Sequence, residues 1–290
     1  MGDRLIPPPR ESPAPVTRDD ANDRPGPGCD APDVDPSSPA APARHSPSAA
    51  EIPPAGLPGA RAILDGGLYW TAYEPVIEVR TLKAVAHEAL ARFLRPDGSP
   101  LGTASMFALL HADPALLVET ELALKRHQLE HAPPGELFVN LDPDSWALDG
   151  RGAESRVLDL LEGHGRRLVV EVIENTDAAD AVLGRDLVAS LRARGLRVAL
   201  DDVGATNGLL SFETLDAADV LKFDRSLLRR LGSGGRRRAI MEAFVRMAQS
   251  TGARTVLEGV ETLADLALAR DLGVDLVQGY LFRDRSLQAR

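Results

Sequence analysis

The chain has 290 residues, a formal net charge of −10 and one cysteine, Cys29. The acidic balance argues against a DNA- or RNA-polymer surface, which needs a basic face to meet phosphate charge. A lone cysteine excludes an internal disulfide framework, and no run of 18 apolar residues predicts a membrane span, so the expected compartment is cytoplasmic.

Fifteen of the 22 prolines lie in the first 60 residues, among Ala, Ser, Asp and Gly. Such a segment buries too little apolar surface to offset the entropy of ordering it. Residues 1–60 are therefore expected to form a disordered, Pro-rich tail, a tether first and a binding arm for an unknown protein partner second. The start lacks a secretory apolar core, and Ile6 breaks the myristoylation pattern. Residues 61–290 suit one α/β barrel, which often runs to roughly 250 residues.

Within that span, YEPVIEV (73–79) and AVAHEAL (84–90) read as strands. Their link, Arg80 to Lys83, is too short for a helical crossover, so the two are expected to pair antiparallel. Asp113-Pro114 then reads as an N-cap with Pro in the first turn of a helix over ALLVETELALKRHQLEH. Six more apolar segments follow: LFVN (137–140), RLVVEVIE (167–174), RVALDD (197–202), VLKFD (220–224), RTVLEG (254–259) and LVQG (276–279). Each is four to eight residues long, and helical stretches separate them, as buried parallel strands between crossover helices would read. Asp177 is expected to cap the run through Leu191, with Gly195 ending it, and Thr262 with Asp265 has the capping-box form. The predicted fold class is α/β: a (β/α)8 TIM-like barrel with an antiparallel first strand.

The segments end in, or just before, Glu88, Asn140, Glu171, Asp201 with Asp202, Lys222, Glu258 and Gln278. In a (β/α)8 barrel these ends converge on one mouth, where catalytic residues collect. One strand-end carboxylate is most simply a helix cap or an arginine partner. Six consecutive strands with such ends are not explained that way, and Lys222 and Gln278 lie inside apolar runs where an unpaired polar group is costly. Facing carboxylates repel unless cations lie between them, and an oxygen-only donor set suits Mg2+ or Mn2+ rather than zinc. The six histidines show no spacing suited to zinc and are read as surface or packing residues. Two ions about 4 Å apart would polarise a phosphate and activate water, with Lys222 orienting the nucleophile or stabilising developing charge.

These residues fall in blocks. HEALAR (87–92), FVNL (138–141), VEVIE (170–174), LDDVG (200–204), LKFDRSLL (221–228), LEGVET (257–262) and QGYLF (278–282) resemble, in order and spacing, the EAL family of cyclic di-GMP phosphodiesterases, over roughly residues 65–285. The resemblance implies a (β/α)8 barrel with an antiparallel first strand and divalent-metal hydrolysis of cyclic di-GMP to linear pGpG. It implies metal-ligand roles for Glu88, Asn140, Glu171, Asp201 and Asp202, with Glu258 supporting the second ion. It further implies that Lys222 holds the attacking water, Gln278 lies near the metals, Arg92 contacts a ligand phosphate and Glu174 anchors the loop after Asp-Asp. Glu261 matches the second glutamate of the EGVE block, and the family loop also supports a homodimer through the barrel.

Three departures matter. The family's D-D-F-G-T-G-Y-S-S-L stands here as Asp201-Asp202-Val203-Gly204-Ala205-Thr206-Asn207-Gly208-Leu209-Leu210. A glycine is lost at Thr206 and an aromatic at Asn207, so a weaker second metal site and slower hydrolysis are expected. Glu74 replaces the usual Gln before Pro75, adding a negative charge, and Arg283-Asp284-Arg285 lacks the usual proline. A receptor that binds cyclic di-GMP with little turnover is the alternative reading; a bare scaffold would not keep so many facing carboxylates.

Overall fold

The computed structural model describes residues 56–151, 154–173, 178–204, 211–224, 226–227 and 235–289. Two strands open the barrel, β1 (Tyr69–Glu78) and β2 (Ala84–Leu94), paired antiparallel from Tyr69↔Phe93 to Ile77↔Ala84. Six parallel strands continue it: β4 (Glu136–Asn140), β5 (Leu168–Ile173), β6 (Arg197–Val203), β7 (Val220–Phe223), β8 (Arg254–Leu257) and β9 (Leu276–Val277). Strand β9 closes the ring on β1, antiparallel, through Ile77↔Val277 and Glu78↔Leu276. Two short strands lie outside this ring: β3 (Pro100–Leu101) extends β2, and β10 (Leu287–Ala289) extends β1. Both were too short to be read from the sequence.

The antiparallel start follows from the four-residue link. A parallel pair needs a crossover of about a dozen residues or more. Elsewhere such crossovers exist. They include α3 (Pro114–Glu130), α6 (Ala178–Ala193), α8 (Gly235–Thr251) and α9 (Leu263–Leu272). Helix α3 starts as the sequence indicates, with Asp113 accepting from Ala115 N and Leu116 N at 3.1 Å each and Pro114 in the first turn. The Thr262–Asp265 capping box opens α9, and Gly273 ends it at φ 75°. The expected cap Asp177 lies outside the described residues.

Helix α1 (Gly56–Asp65) begins inside the stretch expected to be tail. Its Ala60 and Ile63 are buried against Phe93, Met106 and Leu110, so residues 56–60 are helical and packed on the domain. Residues 1–55 lie outside the described residues. The helices α2 (Thr103–Leu110), α4 (Pro143–Leu148), α5 (Arg156–Glu162) and α7 (Phe212–Ala217) complete the outer layer among the described residues. No described helix is long and apolar enough to cross a membrane.

The barrel axis is filled by one residue from each of the eight strands: Val76, Ala86, Phe138, Val169, Ala199, Val220, Val256 and Leu276, all buried. A larger apolar shell lies between the strands' outer faces and the helices. Burying one axial valine or leucine contributes about 1.5–3 kcal/mol, and this layer sits directly beneath the site.

Candidate active site at the barrel mouth

Side chains on a strand alternate between faces with a period of two. Two residues beyond each axial residue, toward the C-terminal ends of the parallel strands, come Glu88, Asn140, Glu171, Asp201, Lys222, Glu258 and Gln278. Strand β1 runs the other way, so its member is two residues earlier: Glu74, directly opposite Glu88 in the register. The ladder carries on past the strand ends through Glu258 N to Phe223 O, 3.1 Å, and Gln278 N to Leu257 O, 3.0 Å. The expected catalytic and metal-binding positions thus form one polar layer on an apolar floor.

Alternation alone would send Asp202 to the opposite face from Asp201. A bulge prevents it. The register between β6 and β7 passes from Leu200↔Leu221 to Val203↔Phe223, leaving Asp201 and Asp202 opposite the single Lys222. Asp202 takes a left-handed conformation, φ 55°, which aspartate tolerates better than most residues but at a cost of order 1 kcal/mol. With that turn, Asp201, Asp202 and Glu258 each offer an oxygen within 4.8 Å of the others. On the far side, Gly279 (φ 152°) lets the chain after Gln278 pack on Val260: a Cβ on Gly279 would meet Val260 N at 2.4 Å, so glycine is required there.

Lys222 lies at the centre, 1 % exposed. Its Nζ is 2.6 Å from Glu171 Oε1, 2.8 Å from Glu258 Oε1, 3.1 Å from Asp201 Oδ1 and 3.6 Å from Glu88 Oε2. Burial pulls the Lys222 pKa down, but Asp201, Glu171, Glu88 and Glu258 together carry it well above the usual lysine value, so it stays charged. Glu88 accepts from Gln278 Nε2 at 2.6 Å and from Asn140 Nδ2 at 3.1 Å. Burial would raise Glu88; the Lys222 charge and these hydrogen bonds bring it below the ordinary carboxylate range. Glu171 is raised well above that range by burial and by the Glu88 charge. Burial, with Asp201 and Glu88 adding to it, pushes Glu258 up to about 8.

The charges do not balance. Glu88, Glu171, Asp201 and Glu258 are four carboxylates around one lysine. Although Glu171 approaches Lys222 closely, neither of its buried oxygens meets a well-aimed donor, nor does Asp201 Oδ1. The contact is one of charge rather than of directed hydrogen bonds. Buried acceptors in excess, all oxygen, fit hard divalent cations. The expected oxygen donors Glu88, Asn140, Glu171, Asp201 and Asp202 therefore suit the ions the sequence points to.

A cleft of about 580 Å³ runs from Glu88, Asn140 and Asp201 past Arg92 to Phe107 and His111, within the usual range for a small-ligand site. Arg92 does lie beside the mouth, but its Nη2 is held by Glu74 Oε1 at 2.9 Å. From the sequence, Glu74 is expected only as a negative charge near the ligand end; its place in the layer follows from counting back two residues from Val76. The cleft also carries two groupings the sequence did not single out. Lys125 and Glu121 form a buried i,i+4 pair at 2.8 Å, and His111 Nε2 lies 3.1 Å from Asp142 Oδ2 and 3.4 Å from Asp144 Oδ2. The first was legible as helix spacing in α3. The second joins a helix end to a strand-end loop and has no sequence period. Glu174 and loop residues 205–210 lie outside the described residues, and Glu261 is exposed, its N–H donating to Asp265.

A closed barrel with one reversed strand and a carboxylate-rich mouth around a buried lysine matches the EAL domain model over residues 60–284, and the chain belongs to that family. It is 26 % identical over 220 residues to the probable cyclic di-GMP phosphodiesterase PdeN of Escherichia coli, covering 73 % of this chain and 42 % of PdeN. It is 28 % identical over 218 residues to the cyclic di-GMP phosphodiesterase NbdA of Pseudomonas aeruginosa, covering 72 % and 28 %. Among solved structures, Klebsiella pneumoniae BlrP1 with calcium and cyclic di-GMP superposes with a TM-score of 0.60 at 26 % identity, over 74 % of this chain and 55 % of that one. A manganese and cyclic di-GMP complex of BlrP1 gives 0.58 at 27 %, over 77 % and 56 %. The chain spans less than half the length of these curated relatives.

Proposed function

We propose that this protein hydrolyses one phosphodiester of cyclic di-GMP to linear pGpG, using divalent cations held at the barrel mouth. The supporting observation is the convergence of four carboxylates, Glu88, Glu171, Asp201 and Glu258, on one buried lysine in a single layer. The names of PdeN and NbdA and the BlrP1 complexes point the same way.

In this reading Asp201, Asp202 and Glu258 would hold one Mg2+ or Mn2+, and Glu88, Asn140, Glu171 and Asp201 would hold the other. Such ions supply Lewis acidity toward the phosphodiester and activate water. Lys222, set among Glu88, Glu171, Asp201 and Glu258, is placed as a positive charge rather than as a base. It is a fixed positive charge that orients the attacking water and meets charge developing at phosphorus. Gln278 and Asn140 fix the Glu88 carboxylate. Water adds to phosphorus, the bond to the 3′ oxygen breaks, and that oxygen leaves as a hydroxyl, giving a 5′-phosphorylated linear dinucleotide. Arg92 binds the other phosphate.

The test is incubation of purified protein with cyclic di-GMP and Mn2+ or Mg2+, following ligand loss and pGpG together. Appearance of pGpG that stops on chelation is expected. Tight binding without pGpG would make the chain a receptor instead.

A further inference from the structure

Glu74 completes the mouth layer, and its side chain is spent on Arg92. In the antiparallel register Glu74 faces Glu88, while Arg92, four residues past Glu88, shares that strand face and lines the cleft. The Arg92 Nη2 to Glu74 Oε1 distance is 2.9 Å, and Arg92 Nη1 donates to Ala91 O at 3.1 Å. Both side chains of the pair are about one-third exposed, 35 % and 36 %. The other lysine or arginine lining the cleft, Lys125, is paired with Glu121 and only 3 % exposed. Lys222 below is committed to four acids. Every lysine and arginine that faces this cleft among the described residues therefore already has a carboxylate.

A cyclic dinucleotide brings two phosphate charges. One can sit over the acid-rich layer where cations gather; the second needs a cation of the protein, and Arg92 is the accessible one. We propose that Glu74 is an internal competitor for Arg92, an affinity-setting residue that a ligand phosphate must displace before the guanidinium can bind it. This rests on the functional reading above. The competition is reversible, because a partly exposed ion pair is weak. It still raises the ligand concentration needed, since a displaced Glu74 is left beside Glu88 with its charge unmatched.

The test is calorimetric titration of the whole chain with cyclic di-GMP, with Ca2+ as the cation found in the BlrP1 complex. Wild type, Glu74→Gln, Arg92→Ala and the double variant are compared. Gln keeps the shape and removes the charge. Glu74→Gln should bind about fivefold more tightly, a factor typical of losing one exposed ion pair. That gain should vanish in the Arg92→Ala background, as a double-mutant cycle requires of two directly coupled groups. Equal or weaker binding by Glu74→Gln overturns the proposal and leaves the reading of the mouth intact. So does an undiminished gain without Arg92, which would assign the effect to general relief of negative charge. No binding by any of the four proteins overturns the functional reading and the proposal with it.

Discussion

The two ends of this barrel are both ringed with charge, and they are wired in opposite ways. At the N-terminal end, Glu136 on β4 receives Arg197 of β6 on one oxygen and Arg254 of β8 on the other, the latter at 2.6 Å. Asp219 accepts from Arg192 Nη1 at 2.7 Å and Val198 N at 2.9 Å, and Asp275 from Thr255 N at 2.9 Å and Thr255 Oγ1 at 2.8 Å. There, each acid has aimed donors. At the mouth, four acids converge on one lysine, and buried oxygens of Glu171 and Asp201 lack aimed donors. Strands β4, β6 and β8 thus carry Glu136, Arg197 and Arg254 in aimed ion pairs at one end and Asn140, Asp201 and Glu258 at the other. Polar groups that need nothing further hold a fold together; those left short of partners are where a fold binds.

The sharpest way to break this contrast is to remove one charge from each end. Glu171→Gln should lower turnover about a thousandfold, as expected for a group that acts with others in the transition state. It should raise the melting temperature of metal-free protein only at a pH high enough to ionise Glu171, whose buried carboxyl otherwise holds its proton. Glu136→Gln should do the reverse: turnover within about twofold, and a stability loss of about 1–2 kcal/mol, discounted for the partial exposure of its arginines. Matching effects of the two variants on turnover would remove the distinction.

Removing cations gives the next largest difference. Lys222→Met should cost about a hundredfold in turnover with binding less affected, the pattern of a transition-state charge. Arg254→Met should be nearly silent kinetically, since Arg197 still holds Glu136. Separate measurements of turnover and affinity decide it; loss of binding with turnover per complex intact would make Lys222 a substrate-positioning residue.

The ends should also differ in pH response. Glu258 is raised from 4.5 to about 8, and Glu171 is raised too. The folded, metal-free protein therefore keeps protons that the unfolded chain releases above about pH 4.5. Stability from these groups is complete below that pH and is lost as pH rises toward about 8. Melting temperatures with chelator present should fall over that window, and fall less steeply in Glu258→Gln. A flat profile would contradict the burial of uncompensated acid.

The smallest effect concerns the chain before the barrel. Removing residues 1–55 should shift the melting temperature by less than about 2 °C, as a Pro-rich sequence with so few large apolar residues offers little surface to bury. Extending the cut through Asp65 removes the buried Ile63 and should cost about 2 kcal/mol. A large loss from the shorter cut would show that the first 55 residues support the domain.

Much of this was readable beforehand, for one reason. A parallel strand buried on both faces is an unbroken apolar run, so a polar residue at its end stands out, as Lys222 does after Val220-Leu221. The reversed first strand followed from a four-residue link. What escaped had no such signal. Ala60 and Ile63 begin a helix immediately after a proline-rich stretch whose composition dominates any window. Asp202 was expected at the site, but the bulge that brings it there breaks the alternation and shows only in the backbone geometry. Glu74 sits on the one strand whose direction inverts the counting, so its place beside Glu88 required the register.

We expect the surplus acid at the mouth to be there for divalent cations. Calorimetric titration of nucleotide-free protein with Mn2+ tests it most directly, with Asp201→Asn and Glu136→Gln alongside. Saturable binding in wild type and Glu136→Gln, weakened at least about tenfold in Asp201→Asn, is the predicted result. Equal binding by all three, or none in wild type, would contradict it.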